Sequence, residues 1–223
     1  MMFLRKPMTR RGFLVLPAAA AVALAACEDD GGESAQSTAT SAAESPTAAA
    51  SPTQGSAVLE PTPSCTDGDD TTPEQTEGPF YTPDTPERTS LREAGMAGTL
   101  MTLTGFVLAT DCTPVAGALL DFWHANDAGE YDNEGYTLRG HQFADEQGGF
   151  VLETIVAGLY TGRTRHIHVK VQAPNQPVLT TQLYFPGEPD NATDGIFDEA
   201  LLMDTADTAN GKSATFTFVL DVA

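Results

Sequence analysis

The stretch of the chain best equipped for chemistry is GRTRHIHVKV, residues 162–171. It contains His166 and His168, half of the four histidines of the protein, and also Arg163 and Arg165, although the chain carries a formal net charge of −20. Imidazole nitrogens are the commonest metal ligands among protein side chains. The His-x-His pair therefore predicts a metal site, but alone it is a weak signal, and an exposed pair without function is the alternative.

The alternation of residue types around these histidines predicts a β-strand and orients the pair. Residues two apart on a strand point to the same face, so His166 and His168 share one face. The apolar Ile167, Val169 and Val171 share the opposite face, which must be the core. Both histidines are therefore expected to project together from the polar side of the sheet, where they could chelate one ion.

Other side chains offer further ligands. No pair of cysteines has the spacing of a zinc site, whereas carboxylates are abundant, and two histidines with one carboxylate would suit ferrous iron. Two tyrosines also lie in loops that lead back toward the histidines: Tyr160 precedes His166, and Tyr131 follows the strand that ends near Trp123. A phenolate is a hard anionic ligand, which favours Fe(III) over Zn(II) or Cu(I). A copper site built on His-x-His would leave both tyrosines unexplained.

Several separated motifs together resemble those of the intradiol ring-cleavage dioxygenases, in particular the exported, single-domain bacterial members. The resemblance covers essentially all of residues 72–223, in order, and it is specific because separated segments agree. The motifs are EGPFY at residues 77–81, WHANDAGEY at 123–131, RG at 139–140, GLY at 158–160, RTRHIH at 163–168 and TQLYF at 181–185.

The resemblance implies a nonhaem Fe(III) held by Tyr131, Tyr160, His166 and His168, with Tyr160 and His166 as the axial pair. The implied reaction is the intradiol cleavage of a catechol-type aromatic diol with O2 to a dicarboxylic acid of the cis,cis-muconate type. Tyr160 has a catalytic role in this scheme, because its departing phenolate would take one of the two protons that the diol loses on chelation.

The family pattern also gives roles to residues around the ligands. Arg163 matches an arginine that would bind the substrate and stabilise the negative charge that develops on it, and Gln182 matches a glutamine that would orient the arginine. A surface arginine and a strand-packing amide are the alternatives. Tyr81 is expected either to line the substrate pocket or to be structural, and His124 and His141 are expected to be hydrogen-bonded or surface groups rather than ligands.

Two departures from the family pattern bear on function. The helical N-terminal dimerisation domain of the classical catechol dioxygenases has no counterpart, and a linker stands in its place, which leaves a homo-oligomer open. Only residues 161–165 separate Tyr160 from His166, where classical cytoplasmic members carry a longer loop. The shorter loop should open the pocket, so the resemblance does not fix which diol is bound.

The elements that must position these residues are predicted to be strands. Strands are expected at residues 99–109, 116–124, 150–155, 166–173, 178–185 and 213–222, with Gly, Pro and Asn turns between them. This spacing without a long helical period predicts an all-β fold, a β-sandwich with long loops that carry the metal site. A short helix is expected near residues 198–203, and Trp123 is expected in the core.

The first 26 residues have the features of an export signal. Basic residues up to Arg11 precede an almost wholly apolar run, residues 13–26, which is too short to span a bilayer. TRRGFL, residues 9–14, resembles a twin-arginine signal, and LAAC, which ends at Cys27, resembles a bacterial lipobox whose cysteine is lipidated. The prediction is an exported lipoprotein, periplasmic or on the cell surface, anchored to the membrane through Cys27. An uncleaved membrane anchor is the alternative.

The composition separates a linker from a domain. Between residues 28 and 64, 27 of 37 residues are Ala, Ser, Thr, Pro or Gly, and such a segment cannot bury enough apolar area to fold. Residues 27–71 are therefore predicted to be a disordered tether, and residues 72–223 one domain. If Cys27 is lipidated, Cys65 and Cys112 remain in an oxidising compartment. A disulfide between them is predicted, with two free thiols as the alternative.

The charge distribution limits the partners. All 31 acidic residues but only seven of the eleven basic ones lie from Cys27 onward, which gives that part a net charge of −24. Such acidity argues against nucleic acid or an anionic membrane surface, and the expected partners are a small aromatic diol and O2. The alternative function is that of a non-catalytic exported β-sandwich, transthyretin-like, that binds a metal or another ligand. Such a module would have no need of Tyr131, Tyr160 or Arg163.

Overall fold

Eight β-strands build the described part of the computed structural model, which comprises residues 65 and 70–222. The strands are β1 (Leu100–Ala109), β2 (Leu119–Trp123), β3 (Arg139–Phe143), β4 (Gly149–Ile155), β5 (His166–Gln172), β6 (Leu179–Tyr184), β7 (Asp204–Thr208) and β8 (Gly211–Leu220). Two short 3-10 helices, Pro189–Ala192 and Glu199–Leu201, lie between β6 and β7. The predicted signal, most of the predicted linker and the lipidation site at Cys27 lie outside the described residues.

The strands form two four-stranded sheets, with the orders β4-β1-β8-β7 and β3-β2-β5-β6. Strands β1 and β8 run parallel, and the other paired strands run antiparallel. The apolar side chains of both sheets meet in one core, which is the arrangement of a β-sandwich. The predicted all-β sandwich is confirmed.

The core fixes which residues of β5 are available for chemistry. Ile167, Val169 and Val171 are fully buried in the same cluster as Leu103 of β1 and Phe218 of β8. Because side chains alternate along a strand, the even-numbered residues of β5 are forced onto the opposite face of its sheet. That face, turned away from the core, carries the candidate site.

Six of the eight strands were predicted to within a few residues. Strand β7 was missed because its sequence, DTADT, is polar and mostly exposed at the edge of its sheet. Strand β3 was missed because RGHQF has one large apolar residue, Phe143, and that residue points to solvent. The helix expected near residues 198–203 is the 3-10 helix Glu199–Leu201, whose first turn is capped by the Asp198 side chain.

The segment before β1 crosses the polar face of the β3-β2-β5-β6 sheet. Its backbone bonds to one edge strand of this sheet near residue 75 and to the other edge strand near residue 88: Gln75 N–H donates to Thr180 of β6, and Arg88 N–H donates to His141 of β3. Because β6 and β3 are opposite edges, the residues between them must pass over β5 and β2. EGPFY, residues 77–81, therefore covers the face that carries the histidines.

A disulfide joins Cys65 to Cys112, with the Cα atoms 5.8 Å apart, a normal separation for such a bond. It ties the chain before residue 70 to the turn that follows β1. In the described ranges, no helix is both long and apolar enough to cross a membrane.

Candidate metal centre

The register of the second sheet gathers the polar residues into rows. His168 of β5 pairs with Trp123 of β2 on one side and with Gln182 of β6 on the other, and Trp123 pairs in turn with Arg139 of β3. Directly opposed residues on one face of a sheet have Cβ atoms about 5 Å apart. His166 lies two residues before His168 on the same face, so strand pairing places His168 between Gln182 and Trp123 and His166 opposite Tyr184.

The two histidines are buried, not solvated. They are only 4% and 3% exposed, so the alternative of an exposed pair is wrong. Their Nε2 atoms lie 3.2 Å apart. His166 Nδ1–H donates to the carbonyl of Thr164 at 2.6 Å, which leaves the lone pair of this imidazole on Nε2.

The protonation state of the pair suits a metal ligand. Burial lowers the pKa of His166 to about 4, and the acceptor at Thr164 only partly opposes the shift. Burial also lowers the pKa of His168 well below its ordinary value, as do the neighbouring His166 and Arg163. Both imidazoles are therefore neutral near pH 7, which is the form that binds a metal ion.

Both predicted tyrosine ligands reach the histidines from loops. Tyr131 lies after β2, and its Oη is 3.1 Å from His166 Nε2. Tyr160 lies after β4, and its ring meets that of Tyr131 edge to face with the centroids 5.7 Å apart. The structure therefore brings the four predicted ligands, Tyr131, Tyr160, His166 and His168, into one cluster.

Two glycines allow the tyrosine loops to meet at this cluster. Gly158 has no room for a side chain, since a Cβ atom there would lie 2.0 Å from the carbonyl oxygen of Asn126. Gly129 has φ +82°, and a Cβ atom there would lie 2.1 Å from the carbonyl oxygen of Leu159. Only glycine fits such close backbone contacts. The two loops are thus locked together within two residues of each tyrosine.

The EGPFY segment covers the cluster with an aromatic ring and a glycine. Phe80 stacks on Tyr131 with the centroids 4.6 Å apart and meets Tyr160 edge to face at 5.3 Å. Gly78, at φ +70°, lies over the edge of His168, because a Cβ atom there would be 3.5 Å from His168 Cε1. Phe80 therefore stands against both tyrosines, a role that sequence reasoning did not assign to it.

Tyr81, predicted as a substrate-binding candidate, is one ring removed from the ligands. Its hydroxyl donates to Asp121 Oδ2 at 3.0 Å, and Lys170 Nζ lies 4.6 Å from its ring centroid. Its ring packs on Trp123, which itself stacks on His168. Burial, followed by the charge of Asp121, raises the pKa of Tyr81, so the phenol is neutral. These contacts give Tyr81 the structural role named above as its alternative, and substrate contact stays a prediction.

Arg139 holds the covering segment against the loop that carries Tyr131. Its side chain is almost fully buried, and it donates to the carbonyl of Phe80 at 2.5 Å and to the carbonyl of Asp132 at 2.8 Å. Burial lowers the pKa of this guanidinium, but an arginine remains charged. Arg139 belongs to the RG motif of residues 139–140, and its two carbonyl acceptors give it a structural role.

Arg163 is held in a fixed orientation beside the ligands. Its Nε donates to Asp194 Oδ2 at 2.8 Å, and its Nη2 donates to Gln182 Oε1 at 2.8 Å. Gln182 is itself anchored, because its Nε2 donates to the carbonyl of Thr76 at 2.8 Å. The predicted contact between Gln182 and Arg163 is therefore present. Burial raises the pKa of Tyr131, and the positive charge of Arg163 partly opposes this shift.

Asp194 completes this arrangement and was not found from the sequence. Burial alone would raise its pKa, but donors from Thr164 N–H, Ile196 N–H and Arg163 outweigh burial and keep the pKa below its ordinary value. Asp194 is therefore a carboxylate that fixes both Arg163 and the backbone just before His166. Nothing local marked it among 31 acidic residues, and it lies 31 residues from Arg163.

The remaining histidines are hydrogen-bonded elsewhere. His124 is buried, its Nδ1–H donates to the carbonyl of Ala125 at 2.8 Å, and its Nε2 accepts from Thr154 Oγ1 at 2.7 Å. His141 Nδ1 lies 3.1 Å from Thr85 Oγ1. Both nitrogens of His124 are thus occupied, which removes it as a ligand.

Arg165, which has no role in the predicted site, lies apart from this network. Its Nε donates to Glu188 Oε1 at 2.8 Å, and it also donates to the carbonyl of Ala157. It therefore braces the end of the loop before His166 without touching Gln182 or Asp194.

The donor atoms fit a metal ion of the Fe(III) type. Two ligands bound at right angles with bonds of about 2.1 Å have donor atoms about 3 Å apart, close to the 3.1 and 3.2 Å found around His166 Nε2. Within residues 65 and 70–222, no three His, Cys, Asp or Glu residues cluster as a metal site, which disfavours the two-histidine, one-carboxylate alternative. Burial raises the pKa of Tyr131, so a phenolate there requires a nearby cation.

The fold and this site define a β-sandwich protein with a cluster of two phenols and two imidazoles. Residues 76–222 match the model of a protein family that is described as Dioxygenase. The chain belongs to this family, the intradiol ring-cleavage dioxygenases.

Similar proteins support this assignment. The dioxygenase domain of a dioxygenase carbohydrate-binding protein fusion from Streptomyces sp. SirexAA-E is 57% identical and has a TM-score of 0.68, with 69% of this chain and 100% of that chain covered. The 3-chlorocatechol 1,2-dioxygenase from Rhodococcus opacus 1CP is 26% identical and has a TM-score of 0.63, with coverage of 68% and 73%.

Two relatives with curated names match over a smaller share of both chains. The chlorocatechol 1,2-dioxygenase of Rhodococcus opacus is 29% identical over 51% of this chain and 56% of its own length. The hydroxyquinol 1,2-dioxygenase of Rhizobium sp. (strain MTP-10005) is 30% identical over 57% of this chain and 52% of its own length. The chain thus spans about half the length of these relatives.

Proposed function

We propose that the protein is an Fe(III)-dependent intradiol dioxygenase that cleaves catechol-type diols with O2 to dicarboxylic acids of the cis,cis-muconate type. The observation that carries the proposal is the approach of three donor atoms. Tyr131 Oη lies 3.1 Å and His168 Nε2 lies 3.2 Å from His166 Nε2, and the Tyr160 ring packs against Tyr131. A nonhaem Fe(III) bound by these four residues would supply the chelation and activation of the diol toward O2.

The side chains of the site have distinct parts in such a reaction. The Tyr160 oxygen would take one proton from the diol, as the family resemblance implies, because the low pKa of the two buried histidines makes them poor bases. The bonds of Arg163 to Asp194 and Gln182 use Nε and Nη2 and leave Nη1 for charge that develops on the substrate. Phe80 packs against both tyrosines and covers one side of the cluster.

The substrate class follows from the chemistry shared by the relatives. Their names include catechol, chlorocatechol and hydroxyquinol 1,2-dioxygenases, and each of these aromatics carries two adjacent hydroxyl groups. Five residues, 161–165, join Tyr160 to His166 here, and the exposed Leu159 borders this short loop. A short loop favours an open pocket that accepts a diol with a bulky substituent.

Oxygen uptake by iron-loaded protein with catechol, protocatechuate and hydroxyquinol tests the proposal, together with the ultraviolet spectrum of each product. The loaded protein should be red-brown from tyrosinate-to-Fe(III) charge transfer. Tyr160→Phe should change the colour and slow deprotonation of the diol, and Arg163→Ala should retain iron but turn over more slowly. A colourless iron-loaded protein would refute the four ligands. Coloured protein that consumes no O2 with any diol would favour the non-catalytic binding lipoprotein.

We also propose that the protein works outside the cytoplasm, tethered through a lipid at Cys27. TRRGFL, the apolar run at 13–26 and LAAC support this, and a disulfide such as Cys65–Cys112 is typical of oxidising compartments. In a host bacterium, Cys27→Ser should move the protein from the membrane fraction to the soluble exported fraction. Replacement of Arg10 and Arg11 by lysine should retain it inside the cell. Unchanged distribution of both variants would contradict this localisation.

A further inference from the structure

Trp123, the only tryptophan of the chain, lies flat against His168. The ring centroids are 4.8 Å apart and the planes differ by only 5°, and Trp123 is 1% exposed. The two residues are direct cross-strand partners of β2 and β5, so the strand register imposes this contact. Tryptophan was expected simply to fill the core, but it stands on the face of the sheet that carries the ligands.

His168 lacks the support that a ligand histidine usually has. A metal-bound histidine almost always donates its second ring N–H to an oxygen, and that bond fixes the ring and raises its basicity. His166 has such a bond, to the carbonyl of Thr164 at 2.6 Å. His168 Nδ1 is buried and has no hydrogen-bond partner in the described part of the chain. Something other than a hydrogen bond must therefore hold this ring.

Packing supplies what the missing hydrogen bond does not. Trp123 covers one face of the His168 ring, Gly78 lies over its Cε1 edge, and His166 stands edge-on to it with planes at 82°. Of these contacts, only the one with Trp123 is a parallel stack on the ring face. A flat stack resists rotation of the imidazole and leaves both ring nitrogens accessible in the plane of the ring.

We infer that Trp123 is a positioning residue that orients His168 for metal binding by ring stacking, in place of a hydrogen bond. The inference rests on the proposed metal centre. Trp123 is held in turn by the ring of Tyr81 at 4.8 Å, and the Tyr81 hydroxyl is fixed by Asp121. Tyr81, Trp123 and His168 thus form a column that begins in the covering segment and ends at a ligand.

The column makes the two histidines unequal. The acceptor at Thr164 raises the electron density of the His166 ring, whereas the His168 ring receives no such donation. His166 is therefore the stronger ligand, and His168 depends on its fixed orientation. Loss of the stack should weaken the metal site through His168 even though Trp123 is not a ligand.

Three variants separate positioning from general packing. Trp123→Leu removes the flat face, Trp123→Phe keeps a flat ring, and Phe122→Leu removes an aromatic ring from the opposite, core-facing side of the same strand. Each unloaded variant is first checked by thermal unfolding. Fe(III) affinity is then measured by competition with a chelator, read from the tyrosinate-to-Fe(III) absorption.

Wild-type protein should bind Fe(III), and Trp123→Leu should bind it roughly 10–100-fold more weakly, the usual effect of losing a residue that orients a ligand. Trp123→Phe should restore most of the affinity, and Phe122→Leu should lower the melting temperature while affinity stays within about threefold. Folded Trp123→Leu with wild-type affinity, or an equal loss in Phe122→Leu, would overturn the inference. Wild-type protein that fails to bind Fe(III) would overturn the metal centre itself.

A measurement on the unaltered protein covers the case in which Trp123→Leu does not fold. Ga(III) resembles Fe(III) in charge and size but absorbs no visible light, so it does not quench fluorescence by energy transfer. Because the single tryptophan lies on the His168 ring, uptake of Ga(III) should shift its emission. Uptake of Ga(III) without any change in emission would show that the indole does not sense His168 and would overturn the inference.

Discussion

Asp194 is the residue whose replacement tests the electrostatic design of the site most directly. It accepts from Arg163 Nε at 2.8 Å and from Thr164 N–H at 2.9 Å, and its side chain is 3% exposed. Asp194→Asn keeps the shape and one oxygen acceptor but removes the negative charge. We expect the guanidinium of Arg163 to lose its fixed orientation, because a neutral amide can present an N–H group to it instead of an oxygen.

The contacts set the size of the effect. Removal of one partner from a buried ion pair costs about 3–5 kcal/mol. Arg163 is 21% exposed and retains its bond to Gln182, so about 1.5–3 kcal/mol is expected for the free energy of unfolding. Loss of one transition-state donor lowers kcat by about 100–1,000-fold, and misplacement of a donor that is still present should cost less, roughly 10–100-fold in kcat/KM.

A second ion pair in the same loop provides the matched control. Arg165 donates to Glu188 at 2.8 Å, with both side chains 21% exposed, but this pair does not touch Gln182 or Asp194. Glu188→Gln should therefore lower stability by a similar or smaller amount and leave kcat/KM within about threefold. Denaturant unfolding and steady-state oxygen uptake on iron-loaded proteins measure both quantities. Equal losses of kcat/KM in the two variants, or no loss in Asp194→Asn, would refute the reasoning.

Three further predictions concern the loops, one buried acid and the disulfide. Gly158→Ala places a Cβ atom 2.0 Å from the carbonyl oxygen of Asn126, so the two tyrosine loops must separate. The tyrosinate-to-Fe(III) charge-transfer band should weaken, and the free energy of unfolding should fall by about 1–3 kcal/mol. Burial raises the pKa of Asp121 above its value of about 4 in the unfolded chain, so the contribution of this residue to stability should fall as pH rises above about 4. The free energy of unfolding of the wild type minus that of Asp121→Asn should therefore decrease between about pH 4 and 7. Cys65→Ser opens a link across 47 residues, which should cost at most about 4 kcal/mol.

Each of these predictions has an outcome that contradicts it. Gly195→Ala is the control for the loop variant, because a Cβ atom there meets nothing within 4 Å, and an equal effect of the two substitutions would contradict the role of Gly158. A stability difference that rises with pH would contradict the sign given for Asp121. Identical melting temperatures of oxidised wild type and Cys65→Ser would show that the link to Cys112 does not constrain the unfolded chain.

The strand that carries the histidines was predictable because its alternation is simple. Ile167, Val169 and Val171 must face the core, so the face of His166 and His168 followed from the period of a strand alone. The burial of that face did not follow, because it depends on residues 77–81, which cross the sheet from a distant part of the sequence. Edge strand β7 was also hidden, since its stability comes from pairing with β8 and its own residues carry no apolar pattern.

The tyrosine ligands illustrate a different limit. Their identity could be proposed from chemical preference and from the family motif, but their approach depends on Gly129 and Gly158, whose close backbone contacts join loops about 30 residues apart. No local pattern distinguishes such a glycine from one in an ordinary turn. Asp194 was lost for the same reason, since its partner Arg163 is close only in space.

The ligands are therefore held by two kinds of constraint, and this division has a consequence. The histidines sit on a strand whose register is fixed by the core. The tyrosines instead sit on loops that are joined by glycine contacts and held to the covering segment through Phe80 and Arg139. Loop substitutions should thus alter the tyrosine ligands, and with them colour and proton transfer, before they alter the histidines. The strand residues Trp123 and Gln182 should instead affect affinity for the metal and the orientation of Arg163.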